Sequence, residues 1–132
     1  MTIHHICIQT EVYKASKEFY TKTLGFELVQ ESPDFHTRDY NTWLALDGFM
    51  IELQTAKAGK PLTPYCKDSE GIVHFCLYSS QFDEDYQRIK GDPSVKFRQK
   101  CGKDIYEVAN GRLFKIQAPE GTIIEVRDQI SL

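Results

Sequence analysis

Apolar and polar residues alternate in short runs through most of this chain, and two stretches replace that alternation with a helical period. Val12, Ala15, Ser16, Phe19, Tyr20 and Leu24 recur at i, i+3, i+4, i+7 and i+8, which predicts an amphipathic helix closed by Gly25 in a left-handed conformation. Phe82, Tyr86 and Ile89 make a shorter stripe, with Ser80 to cap it, Gly91 to stop it and Pro93 beyond. Strand-like runs follow each helix, at 26–31, 42–46 and 49–55 after the first and at 95–99, 113–118 and 122–127 after the second. Asp47-Gly48 and Glu120-Gly121 supply the turns between the last two strands of each set. Residues 100–112, with Gly102 and Asn110-Gly111 around Ile105-Tyr106-Glu107-Val108, read as a loop or a short extra strand near the site.

The pattern occurs twice. His5-Ile6-Cys7-Ile8 returns as His74-Phe75-Cys76-Leu77 at an offset of 69, and Met50-Ile51-Glu52-Leu53 is echoed by Ile123-Ile124-Glu125-Val126 at an offset of 73. Two echoes in the same order and nearly the same register indicate an internal duplication. Each module reads strand, helix, strand, strand, strand. The expected fold is therefore α+β, with paired βαβββ modules at 1–56 and 71–132 and a connector at 57–70, forming one domain over 1–132. Neither module alone has enough core to stand without its twin.

The period of two assigns faces. Ile6 and Ile8 lie opposite His5, Ile51 and Leu53 opposite Glu52, Val73, Phe75 and Leu77 opposite His74, and Ile124 and Val126 opposite Glu125. In all four strands the apolar face can pack under a helix while one ionisable group projects from the other side. Two readings follow: ordinary polar residues on a solvated sheet face, paired as His with Glu, or ligands of a divalent cation that offsets the cost of partly enclosing them. Recurrence at duplicated positions favours the cation. Two imidazoles and two carboxylates suit zinc, nickel, cobalt, manganese or iron and leave positions open for substrate. His4 is expected on the opposite face from His5, His36 in a solvated loop, and Cys7 and Cys76 as small buried filler on the face of the histidines.

Composition narrows the function. The 132 residues are 41% hydrophobic and 27% charged, which fits a globular domain and argues against disorder. A net charge of -3 without a basic run disfavours nucleic acid. The absence of a bilayer-length apolar stretch or a signal-like start leads to the expectation of a cytoplasmic protein without a membrane partner. Cys7, Cys66, Cys76 and Cys101 form no CxxC pair and are expected to be reduced thiols. No GxSxG, P-loop or GxGxxG is present to support hydrolase, phosphate-cradling or dinucleotide chemistry.

The segment Phe19-Tyr20-Thr21-Lys22-Thr23-Leu24-Gly25-Phe26, the Pro119-Glu120-Gly121 turn and the four echoed tetrads resemble the vicinal oxygen chelate superfamily, and within it glyoxalase I (lactoylglutathione lyase), over almost the whole chain. The resemblance implies paired βαβββ modules whose mixed sheets curl around a metal. Carried over by position, it implies His5, Glu52, His74 and Glu125 as metal ligands, with nickel or zinc foremost among the candidate cations. A glutamate at position 52 tilts the resemblance toward the glyoxalase branch.

The activity so implied is isomerisation of a hemithioacetal, formed from a 2-oxoaldehyde and a thiol, to a 2-hydroxyacyl thioester. The cation serves as Lewis acid, Glu125 moves the proton between the two carbons, and Glu52 stays ligated or shares that duty. Glutathione-using relatives commonly carry an arginine and an asparagine where this chain has Gln9 and Ala56, so another thiol or a thiol-free substrate remains open, with Arg38, Arg98, Arg112 and Lys115 as replacement cations. Other superfamily chemistry, such as thiol addition to an antibiotic or epimerisation, is an alternative, as is non-catalytic sequestration of a small molecule. Open sheet edges and the family habit together imply a homodimer, with the metal held within one chain or across two.

Overall fold

In the computed structural model, which describes residues 1–66 and 68–131, the alternating runs become strands and the two periodic stretches become helices. Lys67, within the expected connector, and Leu132, at the end of the second module, lie outside the described residues. The chain forms two compact units, Met1–Pro64 and Tyr65–Leu132. The architecture is α+β.

In the first unit the order is β1 (His5–Thr10), α1 (Tyr13–Glu18), a π-helical turn (Phe19–Thr23), β2 (Glu27–Phe35), β3 (Arg38–Leu46) and β4 (Phe49–Thr55). The sheet runs β1-β4-β3-β2, with β1 parallel to β4 and the other pairs antiparallel. Its core is Ile8, Phe19, Tyr20, Leu24, Phe26, Leu44, Ile51 and Leu53. The expected single helix over 12–24 changes winding at Phe19. There the Leu24 N–H donates to the Phe19 carbonyl, a five-residue step that turns Phe19, Tyr20 and Thr23 together into the core. Gly25, at φ +81°, then reverses the chain as the pattern predicts.

The second unit repeats this plan with one difference. Its elements are β5 (Phe75–Tyr78), α2 (Phe82–Lys90), β6 (Lys96–Phe97), β7 (Ile105–Val108), β8 (Gly111–Gln117) and β9 (Ile123–Arg127). The sheet runs β5-β9-β8-β6, again with the first and last strands parallel, and β7 also pairs with β8. The role of the long β2 is thus divided between two short strands, β6 and β7, and the undecided 100–112 stretch contains a true strand. Ser80 does not cap α2. The N-cap position is Gln81, which makes no side-chain cap bond; just ahead of it the Ser79 hydroxyl accepts from the Gln81 N–H and donates to the Asp85 carboxylate at 2.7 Å, tying the entering chain to the first turns of the helix.

Side-chain bonds fasten α1 to its sheet. Glu31 on β2 accepts from both Lys17 and the Tyr13 hydroxyl, which hold its carboxyl below the ordinary carboxylate range. A depressed folded-state pKa stabilises the fold above the ordinary carboxylate pKa, and that contribution is lost as pH falls through the folded value. In urea titrations from about pH 5 down to about pH 3, the Glu31→Gln variant should therefore lose less stability than the parent protein. Equal acid sensitivity of the two would contradict the assignment.

Candidate metal centre

The parallel ladders position the glutamates and the cysteines opposite them, and they do so in the same way in the two units. Cys7 on β1 is the register partner of Glu52 on β4, and Cys76 on β5 is the partner of Glu125 on β9. In each case the histidine stands two residues before the cysteine; His5 opens β1, whereas His74 lies one residue ahead of β5 and is placed by its approach to Glu125 rather than by strand pairing. His5 Nε2 is 3.6 Å from Glu52 Oε2, and His74 Nε2 is 3.5 Å from Glu125 Oε2. The opposite faces carry Ile51, Leu53 and Ile124, all 0% exposed, so the register is fixed from below.

Both His–Glu separations are too long for good hydrogen bonds. Donors about 2.1 Å from one cation, at ordinary angles between neighbouring ligands, lie about 3.0–3.5 Å apart. The two pairs therefore have the spacing of adjacent ligands rather than of a closed ion pair, and their donor types fit a borderline divalent metal. His74 Nδ1 is buried without a hydrogen-bond partner, an orphan acceptor or donor in the second pair. The structure brings His5 to Glu52 and His74 to Glu125. Among the described residues no group of three or more His, Cys, Asp or Glu side chains stands together as a metal-holding set in the single chain.

The surroundings of the pairs differ. His4 precedes β1, so strand alternation does not govern it; its Nδ1 lies 2.8 Å from His5 Nδ1, against the expectation that it faces away. The Trp43 ring stands edge-on to His5 at 4.8 Å. Together they leave His5 Nε2 as the nitrogen turned toward Glu52. Gln54 donates to Glu52 Oε1 at 3.0 Å. In the second unit Glu125 is crowded: Lys115 Nζ lies 3.1 Å from Oε2, while Cys76 Sγ at 3.6 Å and Arg127 Nε at 4.0 Å approach Oε1.

Trp43 reads in the sequence as a strand aromatic that lines an apolar substrate pocket or builds core, and it stands instead against the His5 ring; Gln54 and Arg127 were not expected at the site. Both sit two residues after a predicted ligand, so the period of two, carried one step further, would have found them. Of the other cations, Arg112 is held by Asp83 and Asp128, while Arg38 donates to Gln9 Oε1 at 3.0 Å and to the Thr55 carbonyl. His36 sits in the β2–β3 turn at φ +47°, its ring edge-on to Phe35.

The structure also corrects the expectation for Cys7 and Cys76. Both are exposed rather than buried filler, and all four cysteines are free thiols. Partial desolvation, followed by the charge of Glu52 or Glu125, pushes each thiol up to about 11.

The family model described as Glyoxalase/Bleomycin resistance protein/Dioxygenase superfamily matches residues 2–126. Uncharacterized protein YwkD of Bacillus subtilis (strain 168) is 42% identical over 89 residues, covering 67% of this chain and 69% of that protein. The glyoxalase family protein from Enterococcus faecalis has a TM-score of 0.76 at 20% identity, covering 96% of this chain and 97% of that one. The genomically encoded fosfomycin resistance protein FosX from Listeria monocytogenes gives 0.72 at 16% identity, with 96% and 91% coverage. At these identities the two structural likenesses show the fold alone.

The raised thiols generate a prediction. At pH 8 a thiol near 11 is almost wholly protonated, although its rarer thiolate is the stronger nucleophile. Cys7 and Cys76 should thus react with iodoacetamide roughly tenfold more slowly than an unperturbed thiol. Glu52→Gln should speed Cys7 alone, and Glu125→Gln should speed Cys76 alone. Mass-spectrometric mapping of alkylation rates checks this, and unchanged rates in both variants would contradict it.

Proposed function

The chain belongs to the Glyoxalase/Bleomycin resistance protein/Dioxygenase superfamily, and from that premise we propose that it is a metal-dependent lyase of the glyoxalase I type. The reaction proposed is isomerisation of the hemithioacetal of a 2-oxoaldehyde and a thiol to a 2-hydroxyacyl thioester. The observation that supports it is the duplicated His–Glu pair, at 3.6 Å in one unit and 3.5 Å in the other. One such pair is common on a sheet face, but two at equivalent ladder positions require a shared reason.

In this reading His5, Glu52, His74 and Glu125 hold one divalent transition cation, with nickel or zinc ahead of cobalt, manganese and iron. When bound, the cation supplies Lewis acidity toward neighbouring substrate oxygens. The remaining work belongs to the side chains. Glu125 takes the proton from the carbon that bears sulfur and returns it to the adjacent carbon, so that no atom is gained or lost. Glu52, held by the Gln54 amide, keeps the ligand role or shares the proton transfer. Trp43 and His4 fix the His5 ring.

The proposal extends to a homodimer, with the four-donor set completed within one chain or across two copies, and with residues 1–132 acting as one domain on a small molecule in the cytoplasm. Neither nucleic acid nor membrane enters this reading; among the described residues no helix is long and apolar enough to cross a membrane.

The test begins with metal-free protein and one equivalent of nickel or zinc. Bound metal should raise the melting temperature, and His5→Ala or His74→Ala should abolish that rise. The loaded protein should turn over methylglyoxal with at least one of glutathione, cysteine or coenzyme A, the thiol being varied because of Gln9 and Ala56. Glu125→Gln should lower kcat by about 100-fold or more where metal is still bound. Full turnover by that variant would overturn the role of Glu125. Failure to take up stoichiometric metal or to be stabilised by it would favour sequestration of a small molecule without turnover.

A further inference from the structure

The twinned carboxylates occupy equivalent places but keep different company. The ladder partner of Glu52 on β3 is Trp43, whereas the ladder partner of Glu125 on β8 is Lys115. Two residues beyond Glu52 is Gln54, and two residues beyond Glu125 is Arg127. An indole and an amide in the first unit are thus replaced by an ammonium and a guanidinium in the second.

Register and alternation extend the cationic character. Lys96 on β6 is opposite Gln117 and shares the face of Lys115. Arg98, whose N–H donates to the Lys115 carbonyl at 2.8 Å, lies two residues further on that face. Among the described residues of β5 to β9, Glu125 is the only carboxylate on this side, because Glu107 pairs across to Arg112 on the other. Four cations therefore share a sheet face with one anion, in a chain whose net charge is -3.

Two of these cations are largely withdrawn from water. The Lys115 and Arg127 side chains are 26% and 18% exposed, and that of Glu125 is 10%. Arg127 Nε is buried and makes no hydrogen bond. A half-buried guanidinium with an idle N–H is costly, and one carboxylate already approached by His74, Cys76 and Lys115 cannot offset it. The twin position carries no comparable excess: Glu52, 16% exposed, meets His5 at 3.6 Å and the Gln54 amide at 3.0 Å, while Arg38 is spent on Gln9 and the Thr55 carbonyl. What the face lacks is a second anion.

We infer that Lys115 and Arg127 form an anion subsite beside Glu125, and that the small molecule bound there carries an oxyanion, either a carboxylate or a phosphoryl-type group. This rests on the proposed function, in which the face meets substrate, and adds the charge class of that substrate. The guanidinium offers a planar fork and the ammonium a point charge, a combination that orients two oxygens of one group. The first unit, with its neutral Trp43 and Gln54, offers no such pair around Glu52.

The experiment uses metal-free, chelator-treated protein and records backbone amide NMR spectra during titration with inorganic phosphate and, separately, with propionate, against sodium chloride at equal ionic strength. Saturable shifts centred on 111–117 and 123–127 are expected from at least one anion, and which anion does so identifies the oxyanion. Lys115→Met and Arg127→Met should each weaken that binding by about tenfold or more. Lys115→Arg should keep it within about threefold, and Lys22→Met, at an exposed cation of the other unit, should leave it unchanged. No saturable shift with either anion, or undiminished binding in both Met variants, would overturn the inference. Nickel titration of the same samples separates the two ideas. Nickel uptake without an anion response refutes the subsite alone, whereas an anion response without nickel uptake upholds the subsite and refutes the metal reading.

Discussion

The parallel pairing of the first and last strands in each unit is the constraint on which the site depends. Its register sets Cys7 opposite Glu52 and Cys76 opposite Glu125, which brings each preceding histidine within 3.6 Å of a carboxylate. A slip of one residue would turn Glu52 into the core and expose Ile51 and Leu53. The apolar side makes that slip prohibitive, since Ile51, Leu53 and Ile124 are fully buried. Hydrophobic packing beneath the sheet thus fixes polar geometry above it.

Duplication gives the arrangement twice, and divergence around it gives the two halves different chemistry. Glu52 takes an amide donor from Gln54 and faces Trp43 across the ladder, with Arg38 turned to Gln9 and the Thr55 carbonyl. Glu125 is surrounded by cations that compete for the same oxygens, so its carboxylate is the one with reason to change partners. That difference matches the proposed division of labour, in which Glu52 remains a ligand and Glu125 moves a proton, and it places positive charge where a substrate anion would lie. Family membership supplies the frame for this reading, while the asymmetry belongs to this chain's own residues.

The face logic was legible in the sequence because the period of two ties Ile51 and Leu53 to one side and Glu52 to the other. The duplication was legible because it repeats both residues and spacing. Less accessible were features set by contacts between distant segments. Gly102 and Asn110-Gly111 marked a break around Ile105–Val108, but that this segment and β6 share β8 as partner depends on pairing along β8 and not on any local pattern. His4 misled because it lies just before β1, where alternation does not hold. Lys115 was visible as a cation, but only the ladder places it against Glu125, ten positions away. Cys7 and Cys76 looked like packing residues because cysteine is usually buried, yet they open on the polar side of the sheet.

The central claim is that two imidazoles and two carboxylates, one of each per unit, serve a single cation. X-ray absorption at the metal edge of the nickel- or zinc-loaded protein tests it most directly. The account predicts a first shell of nitrogen and oxygen at about 2.0–2.2 Å, with scattering from two imidazole rings and no sulfur. A sulfur shell at about 2.3 Å, from Cys7 or Cys76, or the signature of only one imidazole would contradict it.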